Sequence, residues 1–423
     1  MRIRKASIKN IQAINALLWS PPKKTEVGWH VILGDNGSGK TSFLRALSLA
    51  LLGPEEAIAA RQDWTAWIRH NTTKASVSID VVPDFEFDGH RPKTNEEKTI
   101  VAEVLLNRTN DRVVLAKSNE STPPLWSESQ GWFSASYGPF RRFSGGDKEA
   151  ESVSRSNPRL GAHISIFGES IALTESLFWL QDLRLKELEA ANEEPFLRKV
   201  RAFVNQDGFL PYGVSLKEVS SKGVFFLDAN QISVSVQELS DGYRSILSMT
   251  FELLRQLTHF FPESQIFDAS LRTVQTPGVV MIDEIDAHLH PTWQKKIGFW
   301  LTEHFPNLQF LVTTHSPLIC QAAVNGSIFR LASPGEQEPS KMLRGPERDR
   351  LLYGDILEAY STEAFGTADT RSRQAHQKQE RLAELNVKEL AAGLTDSEKR
   401  EQEELRSIFA TTPHQLGSHD PHS

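Results

Sequence analysis

Two hydrophobic rhythms alternate along the chain. Residues 2–33 set Ile3, Ile8, Ile11, Ile14, Leu17 and Trp19 among basic and polar positions. This pattern predicts two or three strands, a turn at Pro21-Pro22-Lys23-Lys24, and a strand over Trp29–Leu33. The period then lengthens. Phe43, Leu44, Leu47, Leu51 and Leu52 recur at helical spacing, predicting a helix that opens near Thr41 and stops at Gly53-Pro54. Ser76–Val82 alternates again, with Thr99–Leu106 as its hairpin partner across a charged loop at 84–98. Residues 107–132 are polar and interrupted by proline and read as loop. Trp132–Tyr137 reads as a strand entering a turn with Arg141 and Arg142, and residues 145–160 as a second loop.

Leu173, Leu177, Phe178, Leu180, Leu183, Leu185 and Leu188 predict a long amphipathic helix, and Phe196–Val204 another. Together they form a helical insertion. Val224–Leu227 and Ile232–Val236 predict a hairpin, and Ile246–Leu254 an apolar helix. Val279–Ile282 and Phe310–Thr314 are unbroken apolar runs ending in polar residues, as in buried strands of a parallel sheet. Ser372–Ala392 reads as a charged helix with Leu382, Leu385 and Leu390 on one side, ended by Gly393. Thr395-x-x-Glu398 is a capping box for a second helix through Ile408. The pair reads as a solvated hairpin or as a dock for a partner. Residues 411–423 read as disordered.

Composition narrows the function classes. The chain has 423 residues, 39% of them hydrophobic, and a net charge of −7. That balance does not favour nucleic-acid binding by bulk charge, though it leaves a local basic groove open for DNA. The single Cys320 excludes internal disulfides and a Cys-rich zinc site. No apolar run approaches the roughly 20 residues of a membrane span, and the first residues lack a signal-peptide layout. The expectation is a soluble, cytoplasmic protein with no membrane partner.

Candidate chemistry begins at Gly34-Asp35-Asn36-Gly37-Ser38-Gly39-Lys40-Thr41, which is G-x-x-x-x-G-K-[ST]. Between a strand and a helix this is a phosphate-binding loop. Its glycines let backbone N–H groups curl around phosphate oxygens. Lys40 serves the β/γ-phosphates of ATP, and the Thr41 hydroxyl is placed to ligate Mg²⁺. Asp283 and Glu284 end the second apolar run, where ligands of a parallel sheet gather and where buried acids need a cation. Ser240 and Gly242, in Leu239-Ser240-Asp241-Gly242-Tyr243-Arg244, taken alone read as an ordinary helix start. His288 and His290 lie on one turn with no evident further metal ligands.

In their order, the P-loop, Leu-Ser-x-Gly, the strand ending Asp283-Glu284, Asp286-Ala287-His288-Leu289-His290-Pro291 and Thr314-His315-Ser316-Pro317 resemble RecF/SMC-like ABC-type ATPases. The resemblance spans residues 1 to about 330 and includes the departure from Leu-Ser-Gly-Gly-Gln at Asp241 and Tyr243, which is usual in that branch. Leu351–Leu357 and Ala364–Thr367 extend it to stand-alone antiphage-defence ATPases, similar to PtuA-type subunits of Septu and retron systems and to the ATPase of PARIS systems. It implies an α/β ABC-type P-loop ATPase head with a mixed/antiparallel N-terminal sheet, a helical insertion and a C-terminal helical tail.

The resemblance also implies roles. Asp283 holds Mg²⁺ with Thr41, Glu284 is the general base, and His315 is the switch histidine at the γ-phosphate. Ser240 and Gly242 reach ATP held by the P-loop of another copy, and Asp286 crosses to that copy. The implied partners are a second head, in a dimer or higher oligomer, and a separate nuclease or toxin effector. A RecF-like DNA-binding repair ATPase is the alternative. No clear Q-loop glutamine is evident; Gln62 and the Tyr137–Arg142 turn are candidates. That turn reads either as solvated charge or as a phosphate- or partner-sensing loop. About 200 residues separate Lys40 from Ser240, which excludes a long coiled-coil arm. The absence of a C-terminal set of acids on buried strands predicts that the chain is not itself a nuclease. The expected divisions are an N-terminal head lobe at 1–106, loops and helical insertion at 107–215, a C-terminal head lobe at 216–335, a helical extension at 336–410 and a tail at 411–423.

Overall fold

The computed structural model describes residues 1–23, 25–89, 99–110, 112–118, 122–128, 130–141, 156–168, 175–189, 195–336, 338–355, 359–360, 362 and 373–408. Expectations for Arg142, Leu173, Ile356-Leu357, Ala364–Thr367, 411–423 and parts of the loops at 84–98 and 145–160 lie outside them. The chain divides into two units, Met1–Phe365 and Gly366–Ser423.

The first unit opens with an antiparallel sheet of five strands: β1 (Arg2–Ile11), β2 (Ile14–Trp19), β4 (Lys74–Val82), β5 (Ile100–Thr109) and β6 (Arg112–Lys117), in the order β2-β1-β4-β5-β6. Alternation along β1 buries Ile3, Ala6, Ile8 and Ile11. The sheet includes a strand that sequence patterning assigns to loop. β6 is an edge strand with no fully buried position; its Val113 and Leu115 pack half-buried against the core, a short apolar face that is easily lost among polar neighbours.

A second sheet carries the site. It comprises β3 (Gly28–Leu33), β7 (Ser134–Tyr137), β11 (Gly278–Ile282), β12 (Leu308–Thr314), β13 (Gly326–Arg330) and β14 (Lys341–Met342), ordered β14-β13-β3-β12-β11-β7. All neighbours pair in parallel except β14. A third, small antiparallel sheet joins β8 (Ser215–Ser220), β9 (Gly223–Leu227) and β10 (Ser233–Ser235).

Helix α1 (Lys40–Leu52) packs in one core with the first sheet and with Val279, Met281 and Leu311. Val280, Ile282, Phe310 and Val312 belong to the other core. There they join α2 (Glu175–Glu189), α3 (Phe196–Val204), α4 (Asp241–Phe260) and α5 (Pro291–His304). Side chains of a strand alternate between faces, so a strand covered on both must be apolar throughout, and all five residues of β11 are buried. The predicted stripe on α2 is only partly a core face: Leu180 and Leu183 are buried, whereas Phe178, Leu185 and Leu188 are exposed. Helix α6 (Gly345–Tyr353) falls within the first unit.

That unit is a helical hairpin of α7 (Arg373–Ala391) and α8 (Asp396–Ile408). Leu382, Leu385 and Leu405 form its core, and Leu390 is 90% exposed, off the expected apolar side. Gly393 takes φ 78° at the turn, and Thr395 and Glu398 exchange both bonds of a capping box.

Candidate active site

The parallel register brings four loops to one edge. Leu33 lies opposite Thr314, Ile282 opposite Val312, and Tyr137 opposite Ile282. The P-loop, Asp283-Glu284, His315 and the Arg141 turn therefore leave the carboxyl ends of adjacent strands, the usual place for ligands on such sheets.

In the P-loop, Gly37 and Gly39 adopt φ 78° and 96°, which glycine reaches without strain. Asp35, Asn36 and Gly37 are exposed, while Gly34, Ser38 and Gly39 are half-buried. Lys40 folds back onto the loop, its Nζ donating to the carbonyls of Gly34 at 2.8 Å and Asp35 at 3.0 Å. Burial lowers its pKa, against the charges of Asp283, Glu284 and Asp35.

Thr41 Oγ1 donates to Asp283 Oδ2 at 2.6 Å, and Thr313 Oγ1 donates to Asp283 Oδ1 at 2.5 Å. Thr313 Oγ1 in turn accepts the Glu284 N–H at 2.8 Å. The buried Asp283 is thus held by α1 and β12 together. Glu284 is half-buried and has φ 46°, the left-handed region rarely used by a residue with a side chain. His315 is exposed just beyond β12.

Arg141 is not the solvated charge that one reading of its turn makes it. It is buried, and its guanidinium donates to the carbonyls of Gly138 at 3.1 Å, Asp283 at 2.8 Å, Glu284 at 3.0 Å and Ile285 at 3.4 Å. Its Nε reaches Ser245 Oγ on α4 at 3.3 Å. Burial lowers its pKa to about 10, opposed first by the charge of Asp283, so it stays a cation at neutral pH. Gln62 donates to the carbonyl of Ala60 at 3.2 Å. Among the described residues, the glutamine bonded to α1 is Gln12, whose Oε1 accepts from Ser42 Oγ at 2.6 Å.

Ser240 sits at the N-cap position of α4, exposed, with no side-chain capping bond. Asp241 pairs instead with Arg244. Asp286, given as a residue that crosses to another copy, accepts from Thr314 Oγ1 of its own chain at 2.6 Å. His290 caps α5, bonded to Thr292. Among the described residues no group of three or more His, Cys, Asp or Glu could hold a metal ion. Sequence reasoning passed over Thr313 and Thr314, although two hydroxyls ending an apolar strand directly before His315 were a readable signal.

The site fits the ligands its motifs imply. Ser38 Oγ is buried without a partner, and α1 begins with no side-chain cap, so its first N–H groups are available to an anion. The two hard oxygens of Thr41 and Asp283 suit Mg²⁺, which usually takes few protein ligands beside water and phosphate.

The sheet order brings a P-loop motif and an acid pair to one carboxyl edge, an arrangement similar to that of P-loop ATPase heads. A family model described as "AAA domain" matches residues 26–206, and one described as "AAA domain, putative AbiEii toxin, Type IV TA system" matches 156–321. The chain is 37% identical to "Retron Ec83 probable ATPase" of Escherichia coli over 137 residues, 32% of this chain and 24% of that protein. It is 25% identical to "Septu protein PtuA" of Bacillus mycoides over 384 residues, 87% of this chain and 45% of that protein. The chain thus spans less than half the length of these curated relatives. Its structure overlays the SMC head domain from Thermotoga maritima with a TM-score of 0.42 and 16% identity, covering 82% of this chain and 99% of that one. Among the described residues no helix is long and apolar enough to cross a membrane.

Proposed function

We propose that this chain binds and hydrolyses ATP, that turnover requires two heads to pair, and that pairing controls a separate nuclease or toxin effector in bacterial antiphage defence, in the cytoplasm. The observation that carries the catalytic part is the Thr41–Asp283–Thr313 network, which ties the P-loop helix to the carboxylate strand and to the strand before His315. The names of the similar retron and Septu proteins support the defence part.

In this reading the P-loop amides and Lys40 cradle the β/γ-phosphates, and Lys40 exchanges its two carbonyl partners for them. Thr41 and Asp283 would hold Mg²⁺, which neutralises charge on the transferring phosphoryl group. Glu284, offered by its left-handed turn, takes the proton of the attacking water. His315 donates to the γ-phosphate and senses its loss. Ser240 and Gly242 of a second copy complete the site: the Ser240 hydroxyl is free of its own helix, and the α4 N-terminus favours an anion. Asp286 contributes from that copy once it leaves Thr314. The lobes at 1–106 and 216–335 together supply the P-loop, Asp283, Glu284 and His315 of one copy, and the 216–335 lobe of the other copy supplies Ser240, Gly242 and Asp286.

Native mass spectrometry of the full chain with ATP and Mg²⁺ tests the reading. A nucleotide-dependent dimer supports it, and full turnover by an obligate monomer overturns it. Tight ATP-dependent DNA binding without any partner would favour the RecF-like alternative, against which the net charge of −7 weighs.

A further inference from the structure

The segment that follows β13 runs along the P-loop as a strap. The Leu331 N–H donates to the carbonyl of Leu33 at 2.8 Å. A Cβ at Gly34 would stand 3.1 Å from the Cβ of Leu331, and one at Gly37 would stand 3.4 Å from the Cγ of Pro334. Between these two points the Ser333 Oγ donates to Asp35 Oδ2 at 2.6 Å, joining positions 298 apart in the chain.

The strap is braced from its own side. Glu336 Oε1 accepts from both Nη1 and Nη2 of Arg330 at 2.9 Å, and its Oε2 accepts from Nη2 at 3.0 Å. The same Oε2 accepts the Ser333 N–H at 2.7 Å. The Ala332 N–H donates to Ser340 Oγ at 3.0 Å. Arg330 is buried at the end of β13, opposite Leu33 of β3. A bidentate arginine pair fixes orientation as well as distance. Ser333 is thus held through its backbone while its side chain holds Asp35.

Asp35 is the hub of the resting loop. Its carbonyl accepts Lys40 Nζ at 3.0 Å and the Ser38 N–H at 3.1 Å. Its exposed carboxylate stands at the mouth of a loop read as the seat of a polyphosphate. The charge of Asp35 is among those that oppose the lowering of the Lys40 pKa. Left free to turn, this carboxylate would compete with phosphate oxygens for Lys40 and repel them. The bond from Ser333 ties it to the strap instead.

We propose that Ser333 is a positioning residue for the nucleotide: by tying the Asp35 carboxylate to the strap, it leaves Lys40 and the loop amides open to the phosphates and so sets the affinity for ATP. The proposal rests on the P-loop reading given above. Ser333 touches no reacting atom and acts through Asp35, so its effect falls on binding rather than on the hydrolytic step.

Isothermal titration of the full-length chain with Mg²⁺ and the nonhydrolysable analogue adenylyl imidodiphosphate tests it. Ser333→Ala should weaken binding by about threefold to tenfold. Ser333→Thr, which keeps the hydroxyl, should bind as the parent chain does. Asp35→Asn removes the competing charge, so adding Ser333→Ala in that background should change the affinity less than about twofold. In steady-state hydrolysis, Ser333→Ala should raise KM by the factor lost in binding and leave kcat within about twofold. If Ser333→Ala binds the analogue as tightly as the parent, or if its loss persists in full in the Asp35→Asn background, the proposal fails and the P-loop reading stands. A drop in kcat with unchanged KM also overturns it. Failure of the parent chain to bind the analogue at all would sink the P-loop reading itself, and this proposal with it.

Discussion

Arg141 Nη2 donates to the Glu284 carbonyl at 3.0 Å, across 142 intervening positions. The same guanidinium holds the carbonyls on either side, of Asp283 and Ile285. One buried cation thus pins the left-handed turn that presents the proposed base.

Arg141→Ala should therefore leave several buried carbonyls unpaired and destabilise the fold by about 3 kcal/mol or more. Arg141→Lys, with one ammonium in place of a fork, should keep ATP binding and slow the hydrolytic step by about tenfold or more. Urea denaturation and single-turnover hydrolysis measure the two effects. An unchanged denaturation midpoint for the alanine variant would show that the clamp is dispensable.

Glu284→Gln should bind ATP normally, hydrolyse it about 100-fold more slowly or worse, and accumulate as a dimer. Lys40→Ala should lose nucleotide binding. Equilibrium binding and sizing in Mg²⁺-ATP separate these outcomes. ATP affinity retained by Lys40→Ala would contradict the P-loop role.

Ser240→Arg places a bulky side chain at the exposed start of α4. Monomer ATP affinity should stay as it is, and hydrolysis should vanish. Normal turnover by this variant would mean that the second copy does not contribute the signature helix.

Two buried histidines set an acid limit on stability. His30 is joined to Ser327 and to the Glu26 carbonyl, and His163 to Ser134 and Ser136. Burial lowers their pKa values from the ordinary 6.5, to about 4 and about 3 respectively. As pH drops below 6.5 the unfolded chain takes up protons that the folded chain refuses, so stability falls, by up to about 1.4 kcal/mol per pH unit for each histidine. The loss should level off below about 4 for His30 and about 3 for His163. Denaturation midpoints between pH values of roughly 7.5 and 4.5 check the slope, which His163→Gln should flatten; an identical slope in that variant would remove His163 from the account.

What sequence made legible was chemistry confined to short stretches. Gly34–Thr41 must be contiguous to wrap a phosphate, and Asp283-Glu284 must end an apolar strand, so both are readable without the fold. Arg141 shows the opposite case. It reads as loop charge until β7 is laid beside β11, a pairing that no local pattern encodes. The solvent-facing Leu390 failed for a related reason: period reports burial only where a partner surface exists. The short apolar face of the edge strand β6 is easily lost among polar neighbours.

The two oxygens of Asp283 have unlike keepers. Thr313, rooted in the middle of a parallel sheet, grips one; Thr41, on a helix that begins where phosphates would land, grips the other. The carboxylate can let go of Thr41 without losing its aim. Loading the site then requires no search by the acid, only the loosening of one latch, and the Glu284 amide shares the anchor that remains.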